Sequence, residues 1–201
     1  LSARLGMLYA LMSLLVVGIT TEIFVPYFLQ VIHGMTPLAA GYLTAVMAGG
    51  WTLGSVGSAG RHGAAADRMV RAGPWISLIA LMALAVLTPR AGWLESVPGL
   101  ALYCLALAGV GLGIGVGWPH LLTRLLVAAP PGEENLVSAS ITTVQLYAMS
   151  LASALAGMVA NAAGLADPGG LAGAQGAALW LFGVFAVAPA LAMLLSRRVA
   201  G

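Results

Sequence analysis

Lysine is missing from this chain altogether, and charge of either sign is scarce, with Asp, Glu, Lys and Arg making up only 7% of 201 residues. A soluble domain needs a largely polar surface, so this scarcity, beside 61% hydrophobic residues and a mean hydropathy of +1.01, excludes one. The solvent of this protein is lipid. A single cysteine, Cys104, lies inside an apolar run and excludes both an intrachain disulfide and a cysteine-based metal cluster, leaving a small packing residue. The eight Arg are scattered, so the pI of about 9.0 reflects a net charge of only +2 and no nucleic-acid partner is expected. Abundant Ala, Gly and Arg without Lys point to a GC-rich bacterial genome. The first apolar run follows one basic residue and has no small-residue cleavage site, so it is not a signal peptide. With Leu1 in place of an initiator Met, the chain reads as a piece of something longer.

What is present is a series of apolar segments, each near the roughly 20 residues needed to span a bilayer. Interruptions place six helices at about 5–31, 38–60, 74–94, 98–127, 136–163 and 175–196, joined by short loops that leave no room for a soluble domain. The first stops at His33-Gly34-Met35-Thr36-Pro37, and the third is expected to open on Pro74-Trp75 and close near Trp93. Arg4, Arg61, Arg68, Arg71, Arg124, Arg197 and Arg198 then fall on one side and only Arg90 on the other. Because cytoplasmic loops retain positive charge, both ends are expected inside, with six crossings of a bacterial inner membrane.

Glu22 is the acidic residue set well inside a span. A comparable charge at a helix centre costs roughly +2.5 to +3.5 kcal/mol on insertion scales, which the apolar residues around it can offset. An apolar setting favours the neutral acid, the property a reversible proton carrier needs, and makes Glu22 the proton-coupling candidate. Pro26 has no N–H to give the Glu22 carbonyl and should leave a free acceptor at a slight bend. The alternative is that Glu22 serves purely as interhelical glue or lies nearer the outer interface. The fifth segment is the most polar, with Ser138, Ser140, Thr142, Thr143, Gln145, Tyr147, Ser150, Ser153 and Asn161. Thr142, Gln145 and Met149 share one face. That face is either a cavity wall or an interhelical hydrogen-bonding seam.

The fourth segment carries Gly109, Gly111, Gly113, Gly115 and Gly117 before Trp118-Pro119. Without a preceding soluble strand or a following Lys-Ser/Thr, this is no phosphate loop. Small residues four apart, such as Gly109/Gly113 and Gly113/Gly117, let helix backbones touch, as do Gly50/Gly54 and Ala152/Ala156. Glycine and Pro119 would also make the helix deformable.

Between the second and third segments, Gly63, Asp67, Arg68 and Arg71 match the Gly-x-x-x-Asp-Arg-x-Gly-Arg-Arg signature of the major facilitator superfamily, with Val70 and Ala72 departing from it. The stretch from Pro26 to Gly41 resembles the helix-turn-helix opening the second half of drug:proton antiporters in that superfamily. Glu134-Asn135, Ser138-Ala139-Ser140 and the small-residue helix to Asn161 are similar to the fifth helix of that half. The marks of a first half, an intramembrane Arg in the fourth helix and a Gly-Pro pair in the fifth, are missing.

The resemblance therefore implies an all-α integral membrane fold, two inverted three-helix repeats forming the C-terminal half of a 12- or 14-helix transporter, packed against an N-terminal half. Helices 1, 2, 4 and 5 would face the cavity or that half, and helices 3 and 6 lipid. It also implies proton-driven alternating access, with no cofactor beyond the proton gradient and small amphipathic molecules as cargo. Tyr27, Gln30, Thr142, Gln145 and Tyr147 are then substrate-cavity candidates, and Asp67 and Arg68 of the Gly63–Arg71 loop take a gate-stabilising role. Two other classes stay open. One is a non-transporting scaffold subunit. The other is an intramembrane enzyme, against which His33, His62 and His120 all fall at span ends.

Overall fold

The structure is a computed structural model in which residues 3–199 are described, and every long element is helical. Eight α-helices build six rods: α1 (Ala3–Ile19) continuing through a 3-10 turn into α2 (Val25–His33), α3 (Pro37–Ser58), α4 (Ala64–Leu87), α5 (Val97–Val127), α6 (Glu134–Ala162), and α7 (Gly170–Phe185) continuing into α8 (Val187–Val199). Five rods are long and apolar enough to cross a membrane. The exception is α3, which carries Gly41, Gly49, Gly50, Gly54 and Gly57 with several hydroxyls. Its 22 residues nonetheless extend about 33 Å, the thickness of a hydrocarbon core.

The helix ends correct several expected boundaries. The first rod is broken rather than continuous: the Thr20 and Thr21 hydroxyls donate to the Val16 and Gly18 carbonyls at 2.9 and 3.0 Å, competing with the backbone ladder. The chain tightens into a 3-10 turn over Thr20–Phe24, and the Val25 N–H donates to the Glu22 carbonyl. The acceptor that Pro26 was expected to leave free is therefore satisfied. The third helix starts ten residues earlier than expected, at Ala64 after Gly63, whose φ of 56° suits glycine. Pro74 lies inside this helix instead of opening it. The helix ends at Leu87 before Pro89, and Trp93 sits in a separate 3-10 turn. The last rod breaks at Ala186, where Pro189 cannot donate to the Phe185 carbonyl.

α5 is the hub, with α3 and α4 lying along it. Lipid removes the hydrophobic drive between helices, so close backbone approach has to supply the attraction. Consecutive odd-numbered glycines point about 200° apart on a helix, and α5 uses this to serve two neighbours. A Cβ built at Gly111 or Gly115 would overlap the Met47 or Trp51 carbonyl of α3. One at Gly113 would lie 2.6 Å from the Ser77 nitrogen of α4, and one at Gly109 would lie 3.0 Å from the Ala80 Cβ. Gly117 is looser, 3.7 Å from the Val70 Cα, so the expected Gly113/Gly117 pair is close only at Gly113. From α3, Gly50 and Gly54 meet α5 at Ala108 and Leu112. Around this core α1 packs on α5, α6 and α8, while α4 meets α7 and α8. Phe28 and Phe182, both fully buried, join α2 to α7 edge to face at 6.0 Å.

Candidate functional site

One end of the bundle is tied by a charge. Arg124, in the last turn of α5, donates through Nη2 to the Asp67 carboxylate in the first turn of α4, and through Nη1 to the Val199 carbonyl at 3.0 Å. Helix polarity favours these roles: Asp67 sits in the first turn of α4, the positive end of its dipole, and Arg124 in the last turn of α5, the negative end. The two side chains are 38% and 19% exposed, so the pair is neither buried nor fully solvated. Arg68, expected to share the gating role with Asp67, is exposed instead. The Gly63–Arg71 stretch is thus a helix start rather than a loop, and the partner of its carboxylate comes from 57 residues away. The signal available in the sequence was Arg124 itself, a cation at a span end.

The opposite end is held by neutral groups around the end of α4. His33 Nε2 meets the Thr88 carbonyl at 3.0 Å, and Gln175 Nε2 donates to the Pro89 carbonyl at 2.8 Å. The Thr88 hydroxyl donates to the buried Tyr103 hydroxyl at 3.4 Å. Neither His33 nor Gln175 carries a sequence signal for this task, because their shared target is main chain.

Midway between these ends, Glu22, Pro26 and Gln30 are half-buried, and Tyr27 beside them is 37% exposed. Spacings of three and four align them as one stripe along the broken rod. The Gln30 amide donates back to the Pro26 carbonyl at 3.0 Å. Among the described residues the Glu22 carboxylate has no ion-pair partner. The 3-10 turn that carries it packs against α6.

α6 is the least covered of the five apolar rods, with 17% of its most apolar stretch buried against 44–56% in the others. Its buried positions are Val137, Ala152, Ala156 and Ala160, so the small pair Ala152/Ala156 makes the helix contact. Thr142 is exposed and Gln145 half-buried on one face, while Tyr147, 74% exposed, points away from Gln145 by about 160°. The hydroxyls of Ser140, Thr143 and Ser153 turn back to the Leu136, Ala139 and Met149 carbonyls of α6 itself. Among the described residues none of these side chains bonds to another helix. α6 also exposes Leu136, Leu146, Leu151, Leu155 and Met158, so its uncovered surface is mixed. The uncovered faces of α4 (Ile79, Met82 and Val86) and of α7 and α8 (Leu179, Trp180, Val187, Leu191 and Leu194) are apolar.

No protein-family model matches the chain. No solved structure matches it either. Two proteins of Mycobacterium tuberculosis, from strains CDC 1551 and H37Rv and each named a probable multidrug-efflux transporter, are 36% identical to it over 163 residues. That alignment takes in 81% of the chain but only 34% of each relative, so the chain spans about a third of the length of the proteins it matches. With five rods apolar and long enough to cross a bilayer and this similarity to transporter-named proteins, the chain is a multi-pass membrane protein.

Proposed function

We propose that the chain is the C-terminal six-helix half of a major facilitator superfamily transporter of the drug:proton antiporter branch. In this reading it exports small amphipathic molecules by alternating access, and it is a transporter rather than an enzyme. The observation that carries the reading is the sparse coverage of α6 beside the Glu22 stripe, where Thr142 and the half-buried Gln145 lie among exposed apolar residues such as Leu146 and Met149. Ser and Thr hydroxyls bonded to their own helix tolerate lipid, but the Gln145 amide and the Glu22 carboxyl favour protein or water, so this region borders a cavity or a further set of helices. The names of the two relatives support the cargo class. α3 is then the remaining crossing, kept in the bilayer by its backbone contacts with α5, and both ends of the chain lie on the cytoplasmic side of a bacterial inner membrane.

Glu22 is the proton-coupling group in this scheme. Tyr27, Gln30, Thr142 and Gln145 contact cargo in the cavity, and Tyr147 meets the other half across the interface. The Asp67–Arg124 pair closes the cytoplasmic end in one conformation and opens in the other. Glu22→Gln removes titration while keeping size and hydrogen bonding. Reconstituted transporter carrying it is expected to lose transport driven by a pH gradient while still binding cargo. Wild-type rates with an unchanged pH dependence would remove Glu22 from the mechanism.

A further inference from the structure

Beside the Asp67–Arg124 pair lies a cavity of about 340 Å³, framed by the segment after α3, the start of α4 and the C-terminal part of α5. Its charged and titratable lining is Arg61, His62, Asp67, His120 and Arg124. The chemistry is one-sided, because the single carboxylate already holds Arg124. His120 is only 8% exposed, yet its Nε2 is buried without a hydrogen-bond partner. Such a group is costly to leave unpaired and needs an explanation. The ring also meets the Ser58 carbonyl, and Arg61, His62 and Arg124 all lie near enough to act on it electrostatically. Arg61 contributes only a weak 4.0 Å contact from Nη1 to the Met69 sulfur, leaving most of its guanidinium donors uncommitted.

We propose that this cavity binds a phosphate-bearing anion, held by Arg61 and His120 with Arg124 shared between the anion and Asp67. Guanidinium groups match phosphate oxygens in charge and geometry. The anion's charge offsets that of Arg61, His62 and Arg124 around the ring, so His120 takes up a proton on binding and donates from Nε2 while its other nitrogen keeps the Ser58 carbonyl. A volume near the small end of the usual ligand-pocket range of about 300–1,000 Å³ fits a headgroup rather than a bulky cargo. The phosphate has two sources, the headgroup of an acidic phospholipid at the bilayer surface or a soluble phosphate. An anion drawing on Arg124 loosens its hold on Asp67, so occupancy of the cavity bears on the clasp that ties α4 to α5. The site stands independently of the transport reading, since binding is measured without turnover.

The test is native mass spectrometry of the purified chain with phosphatidylglycerol or phosphatidylcholine, with and without millimolar inorganic phosphate. Phosphatidylglycerol adducts are expected to exceed phosphatidylcholine adducts about tenfold, and Arg61→Gln and His120→Gln each to reduce them by about the same factor. Arg197→Gln, which changes a charge outside the cavity, should leave them intact. Displacement by inorganic phosphate supports the site with a soluble occupant, and indifference to it supports the site with a lipid headgroup. The proposal is overturned if Arg61→Gln retains phosphatidylglycerol like the parent chain, or if Arg197→Gln loses as much, which would mark diffuse charge attraction. Equal binding of the two lipids overturns it too. Arg61 is exposed, so its substitution decides the matter even if His120→Gln fails to fold.

Discussion

At Asp67 a single carboxylate chooses between two arginines, and distance along the chain is a poor guide to which one wins. Arg68 is next in sequence but projects about 100° around the helix, whereas Arg124 arrives from the end of α5 with two donors directed at Asp67 and Val199. Partial exposure limits such a pair to about 1 kcal/mol or less. A double-mutant cycle with Asp67→Asn and Arg124→Gln is therefore expected to show a coupling of about 0.5–1 kcal/mol in thermal denaturation. Arg68→Gln should change nothing. A larger loss for Arg68→Gln than for Arg124→Gln would reverse the pairing. In a transport assay Asp67→Asn should slow turnover with expression intact, because the pair joins three helix ends that would have to separate when the end opens.

The helices owe their contacts to glycines chosen by azimuth rather than by number. The alternation from Gly109 to Gly117 is plain in the sequence, and so is its use for close approach. Which neighbour each glycine serves is not, because that depends on how α3 and α4 flank α5. Gly111→Ala would drive a methyl into the Met47 carbonyl, a backbone atom that cannot swing aside, and should cost about 1–3 kcal/mol. Gly117→Ala meets only ordinary van der Waals contacts and gains helix propensity of up to about 1 kcal/mol. Melting temperatures in detergent should thus fall for the first and hold or rise for the second. A chain tolerating both equally would mean that α3 and α5 are not in backbone contact.

Across the whole molecule, the charge asymmetry of the sequence reappears as a difference between two ends. Asp67, Arg124 and Val199 meet at one end, and Arg4 lines a small cavity with Arg124 there. The His33 and Gln175 contacts with Thr88 and Pro89 close the other. In a Cys104→Ser background, cysteines at Met35 and Gly170 are expected to react with an impermeant thiol reagent added to intact cells, and one at Ala65 to be protected. Labelling at Ala65 would invert the topology.

The sequence by itself determined the membrane character, the order of the rods and the segregation of arginine, because hydropathy and charge act over a few residues at a time. It also singled out Glu22 and Pro26 from residue type and spacing, and Gln30 and Asp67 through the resemblance to a transporter superfamily. Only the tertiary structure decided what those residues meet. Burial of the Thr20 and Thr21 hydroxyls turned the bend near Glu22 into a 3-10 turn, and the fold brought Arg124 to Asp67. The same packing left α6 largely uncovered and His120 without a partner at Nε2. The threonine bonds are local, but the other outcomes depend on groups far apart in the chain, and no local pattern records which of them will become neighbours.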